Sequence, residues 1–192
     1  MGNLNDRRVR KTKAVIRRSL TELLKIKELN DISVSELTKL SDISRGTFYL
    51  HYKNVFDLFE QTENELVDDV GTILFSHRTD AQWLSTPALI ELFSYVASNA
   101  EVFVAMLRVK ETEFFKKLTT QFKPKTKEDW RVLFPNVVEG MFEYCYTFSA
   151  NGCAALMKLW FESGMKETPE VIADFARKLI INVLAAASNW KS

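Results

Sequence analysis

The chain has 192 residues, 46% of them hydrophobic and 27% charged, with a net charge of +1. That globular balance can fill a substantial core, six Gly and four Pro give little turn chemistry for many short strands, and no apolar run approaches the roughly 18 residues of a membrane span. The charge is unevenly spread: residues 1–54 hold 12 Lys or Arg against 6 Asp or Glu, whereas the remainder holds 14 against 19, and a local positive surface of this kind suits phosphate-bearing partners.

The polar start MGNLNDRRVRK has no apolar core, so it does not read as a secretory signal. Asp6 stands where a myristoylation signal following Gly2 carries Ser or Thr. From Arg7 to Lys25, Val9, Ile16, Leu20, Leu23 and Leu24 recur at helix spacing between cations. Asn30 and Asp31 interrupt the pattern. A short helix is expected from Val34 to Ser41, with Val34, Leu37 and Leu40 on one face and Ser33 or Ser35 as its cap. A second short helix fits Ser44 to Tyr52. A long amphipathic run follows from Val55 to about His77.

Arg78 to Pro87 reads as a linker that ends in a Thr86 cap and a Pro at the first helical position. Helical patterns then run from Pro87 to about Val109 and from Glu111 to about Phe122. Lys123-Pro-Lys-Thr-Lys127 reads as a charged loop. A long apolar helix is expected from Val137 to Glu162 with Gly164 closing it, and a last helix from Thr168-Pro169-Glu170 to about Asn189. No strand is needed, so the fold class is all-α. Cys145 and Cys153 are eight residues apart, about 12 Å of rise on one helix, too far for a bridge within the chain; they read as reduced thiols of a cytoplasmic protein, with a disulfide between two chains as the alternative.

The two short helices meet at Ser41-Asp42-Ile43, a joint that needs one residue in the left-handed backbone region, which Asp tolerates. Leu37, Leu40, Ile43 and Phe48 are spaced to hold the pair crossed on the first helix. This is a helix-turn-helix arrangement, whose second helix enters a DNA major groove. With Phe48 and Tyr52 facing inward, Arg45, Thr47, Tyr49 and Leu50 lie on the other side. The hydroxyls of Ser44, Thr47 and Tyr49 and the N–H donors of His51 and Lys53 suit phosphate oxygens. Arg45 can fork onto guanine, and Gly46 lets the backbone approach bases. The alternatives are half-buried packing for Tyr49, a cap on the helix end for His51, which is compatible with phosphate contact, and plain solvated surface for Lys53.

The stretch DISVSELTKLSDISRGTFYLHYKNVFDLFE resembles the DNA-binding domain of TetR-family transcriptional regulators, with Thr12, Ile16 and Leu20 fitting the family's first helix. The resemblance covers roughly the first third of the chain. It implies an N-terminal three-helix DNA-binding domain at residues 1–54 and a helical regulatory and dimerisation domain at 55–192. It also implies that Ser44, Arg45 and Gly46 approach bases, and that Thr47, Tyr49, His51 and Lys53 touch phosphates or adjoining bases. Two positions depart from the family pattern: Asp42 stands where Gly is common, and Val55 where a phosphate-gripping Lys is often found.

The segment FSANGCAALMKLWFESGMKETPEVIADFARKLI resembles the C-terminal region of a TetR subgroup that includes regulators of dihydroxyacetone utilisation, through Gly152, Trp160, Gly164 and Thr168-Pro-Glu170. The last two helices carry apolar residues on more than one side, with Leu156, Leu159 and Trp160 on one helix and Phe175, Leu179 and Val183 on the other. They suit either burial in one chain or a four-helix bundle between two; the resemblance implies the homodimer, spanning two half-sites of double-stranded DNA.

Between head and bundle, the aromatic-rich stretch including Phe103, Met106, Trp130, Phe142 and Tyr146 suits plain core, and the resemblance implies that it encloses a small-molecule effector there. Tyr95, Arg108 and Tyr144 suit either orienting such a ligand or plain surface. Docking of a partner protein is the alternative, and a helical carrier without DNA binding a third. No cofactor, metal or membrane partner is implied. His51 and His77 are the only histidines, and neither a nucleophile–base set nor zinc spacing appears, so an enzyme is not expected.

Overall fold

The structure, a computed structural model, describes residues 4–76 and 86–190. All regular elements among them are helical: α1 Leu4–Leu24, α2 Val34–Leu40, α3 Arg45–Tyr49, α4 Val55–Ser76, α5 Thr86–Ser98, α6 Ala100–Leu133, α7 Glu139–Glu162 and α8 Pro169–Ser188, with a single 3-10 turn at Leu29–Asp31. The expected end of the fourth helix at His77 and the linker up to residue 85 lie outside the described residues. The chain divides into two compact units, Met1–Leu66 with Glu101–Glu111, and Val67–Ala100 with Thr112–Ser192.

In the first unit, α1 packs on α2 and α2 on α3. Ile16, Leu20 and Leu24 of α1, Leu37 of α2, Phe48 of α3 and Leu58 of α4 are all fully buried. The α2 start is fixed by a capping box: Ser33 Oγ accepts the Glu36 N–H at 3.2 Å, and a Glu36 carboxylate oxygen accepts the Ser33 N–H at 3.0 Å. Its end is fixed by the joint. Asp42 adopts φ 51°, its N–H donates to the Lys39 carbonyl, and the Ile43 N–H reaches back to Thr38 at 3.1 Å. This paired closure satisfies carbonyls the helix would leave open. The buried Ser41 hydroxyl bridges to Ser19 Oγ of α1 at 2.9 Å. One expectation fails here: Leu40 is 52% exposed, because α2 ends at that residue and the chain turns away.

In the second unit, α8 packs on both α5 and α7. Its small buried residues Ala173, Ala176 and Ala187 alternate with Ile180 and Leu184 along the inner face, which permits close helix approach. Gly164 (φ 77°) closes α7, the Met165 N–H reaching the Trp160 carbonyl at 2.8 Å. Gly71 in α4 makes room for a ring: a Cβ there would lie 2.7 Å from Phe122.

Two other expectations are corrected. The single helix foreseen from Pro87 to Val109 breaks at Asn99, whose side-chain amide donates to the Tyr95 carbonyl at 2.9 Å, a local bond that competes with the helix ladder. The charged loop foreseen at Lys123–Lys127 is helical and belongs to α6, Pro124 included. Phe122, Thr126 and Trp130 are buried along one face, and Lys123 and Lys127 both pair with Glu143 of α7. Burial and pairing there outweigh the backbone bond that Pro124 forgoes. The split foreseen near residue 110 is a kink, with Lys110 at φ −148°, ψ 57°. Among the described residues, no single helix is long and apolar enough to cross a membrane.

Candidate nucleic-acid interface and ligand cavity

The short helix α3 is held from beneath. Phe48 and Tyr52, four residues apart, are 0% and 2% exposed, their ring centroids 5.7 Å apart. Burial pushes the Tyr52 phenol up to about 12, and the Lys13 ammonium lies 5.7 Å from its ring centroid. Ser44 caps α3: its Oγ accepts the Thr47 N–H at 3.0 Å and lies 2.9 Å from Thr47 Oγ1. The two hydroxyls therefore stand together at the helix start, beside exposed Arg45. A Cβ at Gly46 would meet Ser44 Oγ at 3.6 Å, an ordinary contact; the fold itself does not require glycine there.

Tyr49, Lys53 and Asn54 are exposed and His51 is half-buried. Leu50, which the sequence placed on the outer side without a role, is 82% exposed at the end of α3. The sequence-based set did not include it, although an exposed apolar side chain has the chemistry to read a thymine methyl. The entry into α4 is also fixed: Asn54 Oδ1 accepts the Asp57 N–H at 2.9 Å, and Asp57 Oδ2 accepts the Lys53 N–H at 2.7 Å. The Lys53 N–H holds the Asp57 carboxyl below its ordinary range. Val55 is buried at 6% exposure, so it contributes to the core where a lysine would reach outward.

The second unit contains a cavity of about 160 Å³ lined by residues of α4 to α8, among them Leu74, Leu92, Phe115, Trp130, Tyr146 and Ile180. Of the five residues expected around an effector, Trp130 and Tyr146 line it, with rings 5.9 Å apart. The structure does not bring the other three to it. Phe142 is buried elsewhere in the unit, while Phe103 and Met106 lie in the core of the first unit, because α6 enters that unit before its kink. Tyr95 donates to Asp69 at 2.6 Å and Arg108 to the Lys25 carbonyl; neither lines the cavity.

On α7, Tyr144, Phe148 and Leu159 are exposed, and on α8, Val171, Phe175 and Leu179. Gly152 and Ala155 are exposed between the α7 residues. Leu156 and Val183 are half-buried. Trp160, expected on the same outer face, is 2% exposed: it packs edge-on against Phe93 of α5 at 5.7 Å and donates its indole N–H to the Glu167 carbonyl at 3.0 Å.

A TetR-type family model described as a transcriptional regulator C-terminal region matches residues 85–182. Over 62 residues the chain is 29% identical to YxbF of Bacillus subtilis (strain 168), an uncharacterized HTH-type transcriptional regulator; the match spans 32% of this chain and 16% of that protein's length. Among solved structures, the chain is similar to the dihydroxyacetone kinase operon activator DhaS, with a TM-score of 0.63 and 19% identity over 94% of this chain and 98% of that one. It is also similar to the transcriptional regulator FadR from Bacillus subtilis in complex with stearoyl-CoA, with a TM-score of 0.59 and 14% identity over 88% and 98%. At such identities the structural likeness speaks for the fold.

Proposed function

Because this chain belongs to the TetR family of transcriptional regulators, we propose that it represses transcription by binding a palindromic operator as a homodimer, under the control of a small molecule. Residues 1–54 serve as the DNA-binding domain and residues 55–192 as the regulatory and dimerisation domain. The observation that carries the DNA-binding role is the outward face of α3: Arg45, Tyr49 and Leu50 stand exposed above the buried Phe48 and Tyr52. Arg45 and Leu50 read bases there. Ser44, Thr47, Tyr49, His51 and Lys53 contact phosphates, and Gly46 permits close backbone approach.

The exposed apolar residues of α7 and α8, Phe148, Leu159, Phe175 and Leu179 among them, support a second copy against the same face, with Leu156 and Val183 at its edge. Trp160 is left out of this interface. A two-fold arrangement matches half-sites about one helical turn apart or a multiple of that. The small molecule acts by favouring one of two dispositions of the DNA-binding heads. Selecting bound DNA from a random pool with the full chain tests the whole reading. A palindrome should be enriched, and a pool that stays random overturns it.

A second reading keeps DNA binding and makes the C-terminal domain a docking surface for a partner protein. It is favoured by exposed Val132, Leu133 and Val138 around the α6–α7 junction, and by the role of DhaS as an operon activator. Thermal melts separate the two, since a bound small molecule raises the melting temperature by mass action.

A further inference from the structure

The cavity of the second unit has a chemistry that narrows its ligand, granted the reading above that an effector site lies there. Among the described residues, no charged side chain lines it. A carboxylate or ammonium buried there would lose its hydration with no partner ion. Four aromatic side chains, Phe115, Phe122, Trp130 and Tyr146, contribute to the wall, and aromatic walls favour a ring held edge-on or offset. The volume, about 160 Å³, is close to that of engineered apolar cavities of about 150 Å³ that take up benzene.

The wall also carries a hydroxyl without a counterpart. The Tyr146 hydroxyl donates to the Thr119 carbonyl at 2.6 Å, and the Thr119 hydroxyl donates to the Lys116 carbonyl at 3.1 Å. The Ser149 hydroxyl, on a residue 7% exposed, has no hydrogen-bond partner within the protein. Buried hydroxyls are normally satisfied, and an orphan in a cavity wall marks a place for a ligand atom. We propose that this cavity binds a compact, neutral, single-ring phenol, its ring among the aromatic side chains and its hydroxyl paired with Ser149. Serine offers both a donor and acceptor lone pairs, so it serves a phenol in either sense.

The probes are p-cresol, toluene and benzoate, which share a ring and differ in having a neutral hydroxyl, no polar group or a charge. Titration of each into the full-length protein, by calorimetry and by thermal melt, should rank p-cresol first. Toluene should bind about tenfold more weakly, because it leaves Ser149 unpaired, and benzoate about a hundredfold more weakly or worse. Ser149→Ala should bring p-cresol to within about threefold of toluene without weakening toluene. Ala154→Leu, which fills the cavity, should abolish binding of both.

Benzoate binding as well as p-cresol, an unchanged p-cresol preference in Ser149→Ala, retained binding in Ala154→Leu, or no binding of any probe would each overturn the assignment. Gel shifts on a selected operator keep the two levels apart. If p-cresol binds with the predicted ranking yet leaves operator affinity unchanged, the phenol site stands and the effector role falls.

Discussion

In the first unit, the side chains proposed to meet DNA come from a single stretch, Ser44 to Lys53, on one short helix and its exit. In the second, the cavity wall draws on positions from Val70 to Ile180, contributed by five helices. The first surface is built by local rules: a serine cap, an aspartate in a left-handed joint and an aromatic pair four residues apart. The cavity wall depends on which faces of distant helices meet. A contiguous site is fixed by hydrogen bonds within a few residues, whereas an assembled one inherits its shape from packing.

That contrast can be broken most forcefully at Phe48. Its ring is fully buried beneath α3, so Phe48→Ala should cost about 3–5 kcal/mol, read as a lowered urea midpoint together with lost operator binding. Retained DNA binding at unchanged stability would show that α3 does not depend on this support. Next comes the exposed face of α7 and α8. Phe175→Glu with Leu179→Glu should convert a dimer to a monomer in sedimentation and weaken operator binding by about a hundredfold, since the two half-sites no longer act together. A dimer that survives both charges lies on another surface.

Two smaller effects probe the reading surface itself. Arg45→Ala should relax preference at one base pair by about 1–3 kcal/mol, measured by competition among single-base operator variants. Leu50→Ala should lose roughly fourfold in affinity, equivalent to about 0.8 kcal/mol for one buried methyl group. Replacing the contacted thymine by uracil should reproduce that loss in the wild type and add nothing in the variant.

The smallest effect is a pH dependence. Glu36 is held down to about 2, chiefly by its bond to the Lys27 ammonium and then by the Ser33 N–H and hydroxyl. A depressed carboxyl contributes stability that is fully present above its ordinary value near 4.5, and that is lost as pH falls from there through about 2. The difference in urea midpoint between wild type and Glu36→Gln should shrink over that window. A difference independent of pH would assign the effect to packing.

The head was legible because its signals are residue types at fixed offsets. Asp42 was identifiable as the left-handed residue, and Phe48 and Tyr52 as the inward pair, without any distant contact. Leu40 misled because an apolar residue at the right period can still fall where the helix ends and its face is uncovered. The second unit resisted for non-local reasons. Lys123–Lys127 looks like a loop until Glu143 is brought opposite by α7. Trp160 looks like an interface residue until Phe93 of α5 covers it. Phe103 and Met106 are apolar at helix spacing like Trp130, and no local signal tells which core each joins. Ser149, one of several polar residues on α7, gains meaning only from the wall around it.

The central claim is that the exposed face of α3 reads a duplex. It is tested most directly by competitive gel shifts with the selected operator against random DNA across a range of salt concentrations. The account predicts a preference of about 10³ or more for the operator and an affinity that falls steeply with salt. Equal affinity for both DNAs at every salt concentration would contradict it.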